Sequence, residues 1–269
     1  MKRLVLAIGL IVCAPAFAAE AAWDDIRHAL YGERFLLDGS GLIAIDVPYR
    51  TSDDARTDIA ALVTAPAGTE LREITLILDE NPMPVSAVFQ LATAPTRFFF
   101  DVTMRINGPT PLHVVARTTD GRLFVAETFV KTTGQGACSA PPGTDAELAL
   151  QTLGEMRIEL AGRVPDNTCC GSPSTLTQRL NQIDVTLDHP SHSGMQMDQV
   201  SLLFTPMRYI ETLDIGVNGG GYARMTGSIS LSENPRIGLS VPSGTQSVDV
   251  TMTDTGGTIT HAHKTLEGY

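Results

Sequence analysis

The chain has 269 residues, 30 acidic against 19 basic side chains, and a formal net charge of −11. That balance excludes recognition of a phosphate backbone, which needs clustered Lys and Arg, and no polybasic run is present to hold an anionic membrane. The length suits one large or two ordinary domains.

The first residues read as an export signal. Lys2 and Arg3 form a positive start, residues 4–13 a short apolar run, and Ala16-Phe17-Ala18 a small-x-small cleavage site. The run is too short to span a bilayer. The expectation is a signal over 1–18 and a periplasmic mature chain beginning near Ala19. Removing Cys13 leaves Cys138, Cys169 and Cys170, an odd number in an oxidising compartment.

Residues 23–30 read as a short amphipathic helix. From there the pattern changes to short apolar or alternating runs at 42–47, 59–64, 74–78, 85–91 and 98–104, each bounded by Gly, Pro, Asn or Asp. Asn81-Pro82-Met83-Pro84 must be a turn, because its prolines fix φ and remove two backbone donors. Runs at 112–117 and 123–130 are joined by Asp120-Gly121, a tight-hairpin signal. Strands at this spacing predict a β-sandwich over 19–137.

Gly134, Gly136 and the Pro141-Pro142 pair mark an exposed linker, and Thr144 to Glu147 a capping box opening a short helix; the boundary is placed at 138–154. The second half, 155–269, again alternates. Strands are predicted at 183–187, 200–204, 209–217, 223–231, 237–241, 248–252 and 259–263, with turns at Gly219-Gly220-Gly221 and Asp254 to Gly257. The predicted class is all-β: two immunoglobulin-like sandwiches in tandem, with a short N-terminal helix and a Gly/Pro-rich linker.

The first half resembles SoxY and the second SoxZ, the two immunoglobulin-like subunits of a periplasmic sulfur-carrier complex. The first likeness rests on Ile74-Leu76-Leu78 leading into Asn81-Pro82-Met83-Pro84, on the Asp120-Gly121 hairpin, and on the strand to Lys131 that runs into a Gly-rich segment with Cys138. The second rests on His189-Pro190 with Ser193-Gly194, on the run from Pro206 to Val217, and on Ser232-Glu233-Asn234-Pro235. The resemblance implies a fused SoxYZ-like carrier, of the kind associated with pyrroloquinoline-quinone-dependent quinoprotein dehydrogenases. It implies Cys138 as the carrier cysteine, a periplasmic oxidoreductase as partner, and no cofactor of its own. In SoxY that cysteine lies in Gly-Gly-Cys-Gly-Gly at a free C-terminus. Here Gly134-Gln135-Gly136-Ala137-Cys138-Ser139 is tethered on both sides.

A carrier thiol needs exposure, mobility and access to its thiolate. Gly134 and Gly136 predict the mobility, and the lack of neighbouring apolar bulk predicts exposure. The alternative is a disulfide from Cys138 to Cys169 or Cys170, which would make a redox-switchable lock. Cys169-Cys170 could also form a strained vicinal bridge or capture a soft metal. His189, His192, Met195 and Met197 form a set suited to copper, though His189-Pro190 reads equally as a turn and Met195 as core. His261 and His263 share one face if their segment is a strand. No G-x-S-x-G, Walker, H-E-x-x-H or Rossmann pattern is present, so the chain reads as a non-enzyme. Asp24-Asp25 and Asp53-Asp54 read as surface or helix-start residues. A copper-binding module and a purely structural subunit of a dehydrogenase complex are the competing readings.

Overall fold

Period-two burial organises the chain into strands, as in β3, where Thr57, Ile59, Ala61 and Val63 point inward. The computed structural model describes residues 16–144, 146–161, 181–198 and 201–266. The first half supplies helix α1 (Ala16–Tyr31) and strands β1 (Leu36–Asp38), β2 (Ile43–Asp46), β3 (Thr57–Thr64), β4 (Leu71–Leu78), β5 (Val85–Leu91), β6 (Arg97–Met104), β7 (Thr110–Thr118) and β8 (Leu123–Val130). A 3₁₀ turn (Ala137–Ser139) and helix α2 (Ala146–Gln151) follow. The second half supplies β9 (Met156–Ala161), β10 (Asn181–Leu187), β11 (Ile210–Val217), β12 (Gly220–Thr226), β13 (Arg236–Val241), β14 (Ser247–Asp254) and β15 (Ile259–Thr265). Residues 1–15 of the expected signal lie outside the described residues.

The all-β class holds, and the two halves share their sheets. A nine-stranded sheet runs β1-β8-β7-β4-β5-β12-β11-β14-β15, and a six-stranded sheet runs β2-β3-β6-β13-β10-β9. The seam is made by antiparallel pairing of β5 with β12, from Leu91↔Ala223 to Val88↔Thr226, and of β6 with β13, from Val102↔Ile237 to Phe100↔Leu239. Each half thereby covers an edge that the other would leave unpaired. One apolar cluster runs between the sheets from Ile43 to Leu266, with Phe89, Phe98, Phe100 and Tyr222 as its aromatic centre.

β4 and β7 are buried along nearly their whole length because both of their faces are covered. On the outer face α1 lays Trp23, Ile26 and Tyr31 over Ile77, Val115 and Leu123. Trp23 stacks flat on His113, at 3.7 Å and 7°, while the His113 ring nitrogens face Asp79 at 2.9 Å and Glu127 at 3.2 Å.

Two expectations are corrected, and two strands were missed. The apolar run at 200–204 is not a strand over its described residues: Leu202, Leu203 and Phe204 are exposed, and only a single bridge joins Phe204 to Met197. The strand expected over 223–231 spans Gly220–Thr226 and stops before the turn that carries Ser228 and Ser230. Strands β1 and β9 were not anticipated.

Candidate functional site around Cys138

The segment after β8 leaves the sheet and lies in a groove between the halves. Its first residues are clasped by Asp54, whose carboxylate accepts from Thr133 N, Thr133 Oγ1 and Gly134 N at 2.8–3.1 Å, and from Thr51 Oγ1. Burial raises the Asp54 pKa, but these hydrogen bonds outweigh it and hold the group below its ordinary value. Asp54 is thus a clasp rather than loose surface.

Gly136 then takes φ +87°, a left-handed conformation that turns the chain into the 3₁₀ turn. Its N–H donates to Asn107 O at 2.7 Å, and Cys138 N donates to Asn107 Oδ1 at 3.2 Å. From the second half, Ser193 Oγ donates to Cys138 O, and Gln196 Nε2 donates to Ala140 O at 3.0 Å. Gly143 N donates to Glu233 Oε2 at 2.8 Å.

Cys138 is therefore buried, with 0% of its surface exposed, and it forms no disulfide among the described residues. This corrects the expectation of an exposed, mobile thiol. The glycine serves a fixed left-handed turn, and the segment's polar backbone groups are met by side chains from both halves. Burial pushes the thiol pKa up, and the charge of Arg105 opposes that rise. Cys169 and Cys170 lie outside the described residues.

Arg105, directly after β6, is 3% exposed. Its Nη1 donates to the carbonyls of Ser191 at 2.7 Å, Leu231 at 2.6 Å and Ile229 at 3.4 Å, all in the second half. A cleft of about 310 Å³ beside it is lined by Arg56, Ala137, Ala140, Gln196 and Glu233 among others.

Comparison with known proteins gives two family matches. The family model of the sulfur oxidation protein SoxY matches residues 27–138, and that of the sulphur oxidation protein SoxZ matches 173–265. The chain carries SoxY and SoxZ family-model matches in tandem. The SoxY match closes on Cys138 itself. Among solved structures, the sulfur carrier protein SoxY from Chlorobium limicola f thiosulfatophilum is 23% identical, with a TM-score of 0.36, over 42% of this chain and 93% of that one. A superoxide reductase (neelaredoxin) from Ignicoccus hospitalis is 16% identical, with a TM-score of 0.28, over 34% of this chain and 80% of that one. No curated protein matches significantly. The two domains mark a carrier-type protein of sulfur oxidation.

The residues proposed for copper are divided by the SoxZ-type half. His189 is buried: its Nδ1 accepts from Ser191 N at 2.9 Å, which leaves Nε2 protonated and facing Asp254 Oδ2 at 3.4 Å. Burial lowers its pKa to about 4, against the pull of Asp254. Both nitrogens of His189 are engaged within the protein, which leaves neither free to ligate a metal. His192 is half-buried, while Met195 and Met197 are exposed. Burial and then Arg105 lower the His192 pKa. His261 and His263 do share the exposed face of β15, bonded to Thr251 and Asp249 at 2.8 and 2.7 Å. Among the described residues no group of three or more His, Cys, Asp or Glu side chains is placed to hold a metal ion.

Asn107, Arg105 and Gln196 escaped the sequence reading. Their only local signal was proximity to quoted motifs, with Gln196 just past Ser193-Gly194.

Proposed function

We propose that the protein is a periplasmic carrier in which Cys138 covalently holds a sulfur-type, thiol-reactive group and presents it to a partner oxidoreductase, such as a quinoprotein dehydrogenase system. It acts as a carrier and not as a catalyst. One observation carries this reading: Cys138 closes the SoxY match, and Cys138 N, Cys138 O and Ala140 O are bonded to the side chains of Asn107, Ser193 and Gln196, with no strand pairing there. Such a turn can open locally without unfolding either sheet. At rest the thiol is protonated and sheltered; once the turn opens, burial no longer penalises the thiolate and nucleophilic loading becomes possible.

Mass spectrometry of the protein from its native compartment tests the reading. The expected result is an adduct on Cys138 and loss of function in Cys138→Ser. Cys138 found only as an intramolecular disulfide, with Cys138→Ser fully functional, would overturn it.

A second reading, a structural subunit docked on a dehydrogenase, is favoured by the complete burial of Cys138. It expects Cys138, Cys169 and Cys170 all to be replaceable without loss.

A further inference from the structure

Buried guanidinium groups are normally matched by carboxylates, because an unpaired interior charge is costly. Arg236 follows the rule, with Asp101 at 2.7 Å, Asp58 at 3.3 Å and Asp184 at 3.5 Å. Arg208 does too, with Asp254 at 2.7 Å. Arg105 is more deeply buried than either, yet among the described residues it forms no ion pair. Its Nη1 is spent on neutral carbonyls, and its Nε and Nη2 donate to no protein atom among those residues. The charges that act on it are those of Cys138 and Glu233; Glu233 shares the cleft but makes no ion pair with Arg105, its Oε2 accepting from Gly143 N. Arg56, the other cation of the cleft, spends its Nη1 on the carbonyls of Glu233 and Asn234.

Arg105 and Cys138 are brought together by two parallel ties. Asn107, two residues past Arg105, holds Cys138 N; Ser193, two residues past the Arg105 acceptor Ser191, holds Cys138 O. Arg105 lines one cleft with Ala137 and Ala140, the residues that bracket Cys138 and Ser139, so an opening of the turn would bring the sulfur to that cleft.

Resting on the carrier reading, we propose that Arg105 is the counter-ion of an anionic group carried on Cys138, so that the closed state shelters a negatively charged cargo and releases a neutral or cationic one. Loading with an anion supplies the contact ion that Arg105 lacks among the described residues, and the closed turn is then more stable loaded than empty. The cargo class this selects is a small group whose terminal sulfur or oxygen is negative at neutral pH. The neutral thiol of the empty carrier gains nothing from Arg105.

The test uses the full chain with Cys13, Cys169 and Cys170 replaced by serine. Cys138 is loaded as a mixed disulfide with three methanethiosulfonate reagents that leave a neutral methyl, an anionic sulfonatoethyl or a cationic trimethylammonioethyl group. Release by dithiothreitol is followed by mass spectrometry, and each rate is divided by that of the same adduct on free cysteine, because the attacking species is the thiolate anion. The expected result is release of the anionic adduct roughly tenfold slower than that of the cationic one, the effect of a single charge contact in a partly desolvated site. In Arg105→Met the ratio should collapse toward one, and in Arg105→Lys it should largely return, which separates charge from folding. Equal release rates in the wild-type chain would overturn the counter-ion role while leaving the carrier reading standing. Failure of all three reagents to load Cys138 under native conditions would overturn the carrier reading, and this proposal with it.

Discussion

The side-chain amide of Asn81 donates to Ser230 Oγ at 2.8 Å, joining the proline-bounded turn of the SoxY-type half to the turn after β12 in the SoxZ-type half. The same nitrogen donates to Arg105 O at 2.9 Å, and Asn81 Oδ1 accepts from Asn107 N at 2.9 Å. Asn81 is 3% exposed, so each bond replaces water that cannot return. One side chain therefore positions the backbone of Arg105 and Asn107, the residues that face Cys138. Asn81→Ala leaves buried partners on three sides unmet and should cost about 3 kcal/mol. Urea unfolding checks this through a lower midpoint at unchanged slope.

Ser193 should set how often the carrier turn opens. Its hydroxyl donates to Cys138 O and accepts from Met195 N at 3.1 Å. Ser193→Ala removes a donor from a buried carbonyl, which weakens the closed turn by about 1–2 kcal/mol. Labelling of Cys138 by a thiol reagent should accelerate by roughly tenfold, because it reports the population of the open turn. The exposed Ser40, bonded to Asp38 and far in sequence from Cys138, serves as control; its alanine variant should leave labelling unchanged.

Much of the sheet architecture was legible because period two and turn residues are local signals. β5 and β8 were read with their observed bounds, and the Asp120-Gly121 turn lies where its residues placed it, between β7 and β8. The seam was not legible, since pairing of Val88 with Thr226 depends on which edges remain unpaired once each half folds. Residues 200–204 misled because an apolar run records hydrophobicity but not burial. Cys138 misled for a related reason. Glycine marks both mobile chain and a left-handed turn, and the residues that distinguish the two, Asn107 and Ser193, are 31 and 55 positions away.

The shared core predicts that the halves unfold together. Phe89 stacks on Phe100 at 4.8 Å and pairs in register with Met225 of the SoxZ-type half. Phe89→Ala should cost about 4 kcal/mol. The lone tryptophan, Trp23, reports only on the SoxY-type half through its stack on His113, whereas far-ultraviolet dichroism reports on both halves. Coincident transitions by the two probes are expected in the wild type and in the variant. Two separated transitions would show that the continuous sheets do not couple the domains.

Stability should fall on mild acidification because of His189. Its pKa drops from an ordinary 6.5 to about 4 in the folded chain, since burial penalises the imidazolium more than Asp254 rewards it. Between those values the unfolded chain binds a proton that the folded chain refuses, so stability rises with pH across the window. The contribution is complete above pH 6.5 and is lost as the pH falls toward 4, for a total of about 3 kcal/mol. Asp254 adds a separate loss at lower pH: burial raises its pKa, but the Arg208 and Thr258 hydrogen bonds hold it below its ordinary value. The two effects are separable by substitution. His189→Gln removes the titrating ring while keeping an amide that can donate to Asp254, so the slope between pH 6.5 and 4.5 should flatten while the steeper acid limb remains. Urea midpoints measured across that range decide it; an unchanged slope would place the acid sensitivity elsewhere.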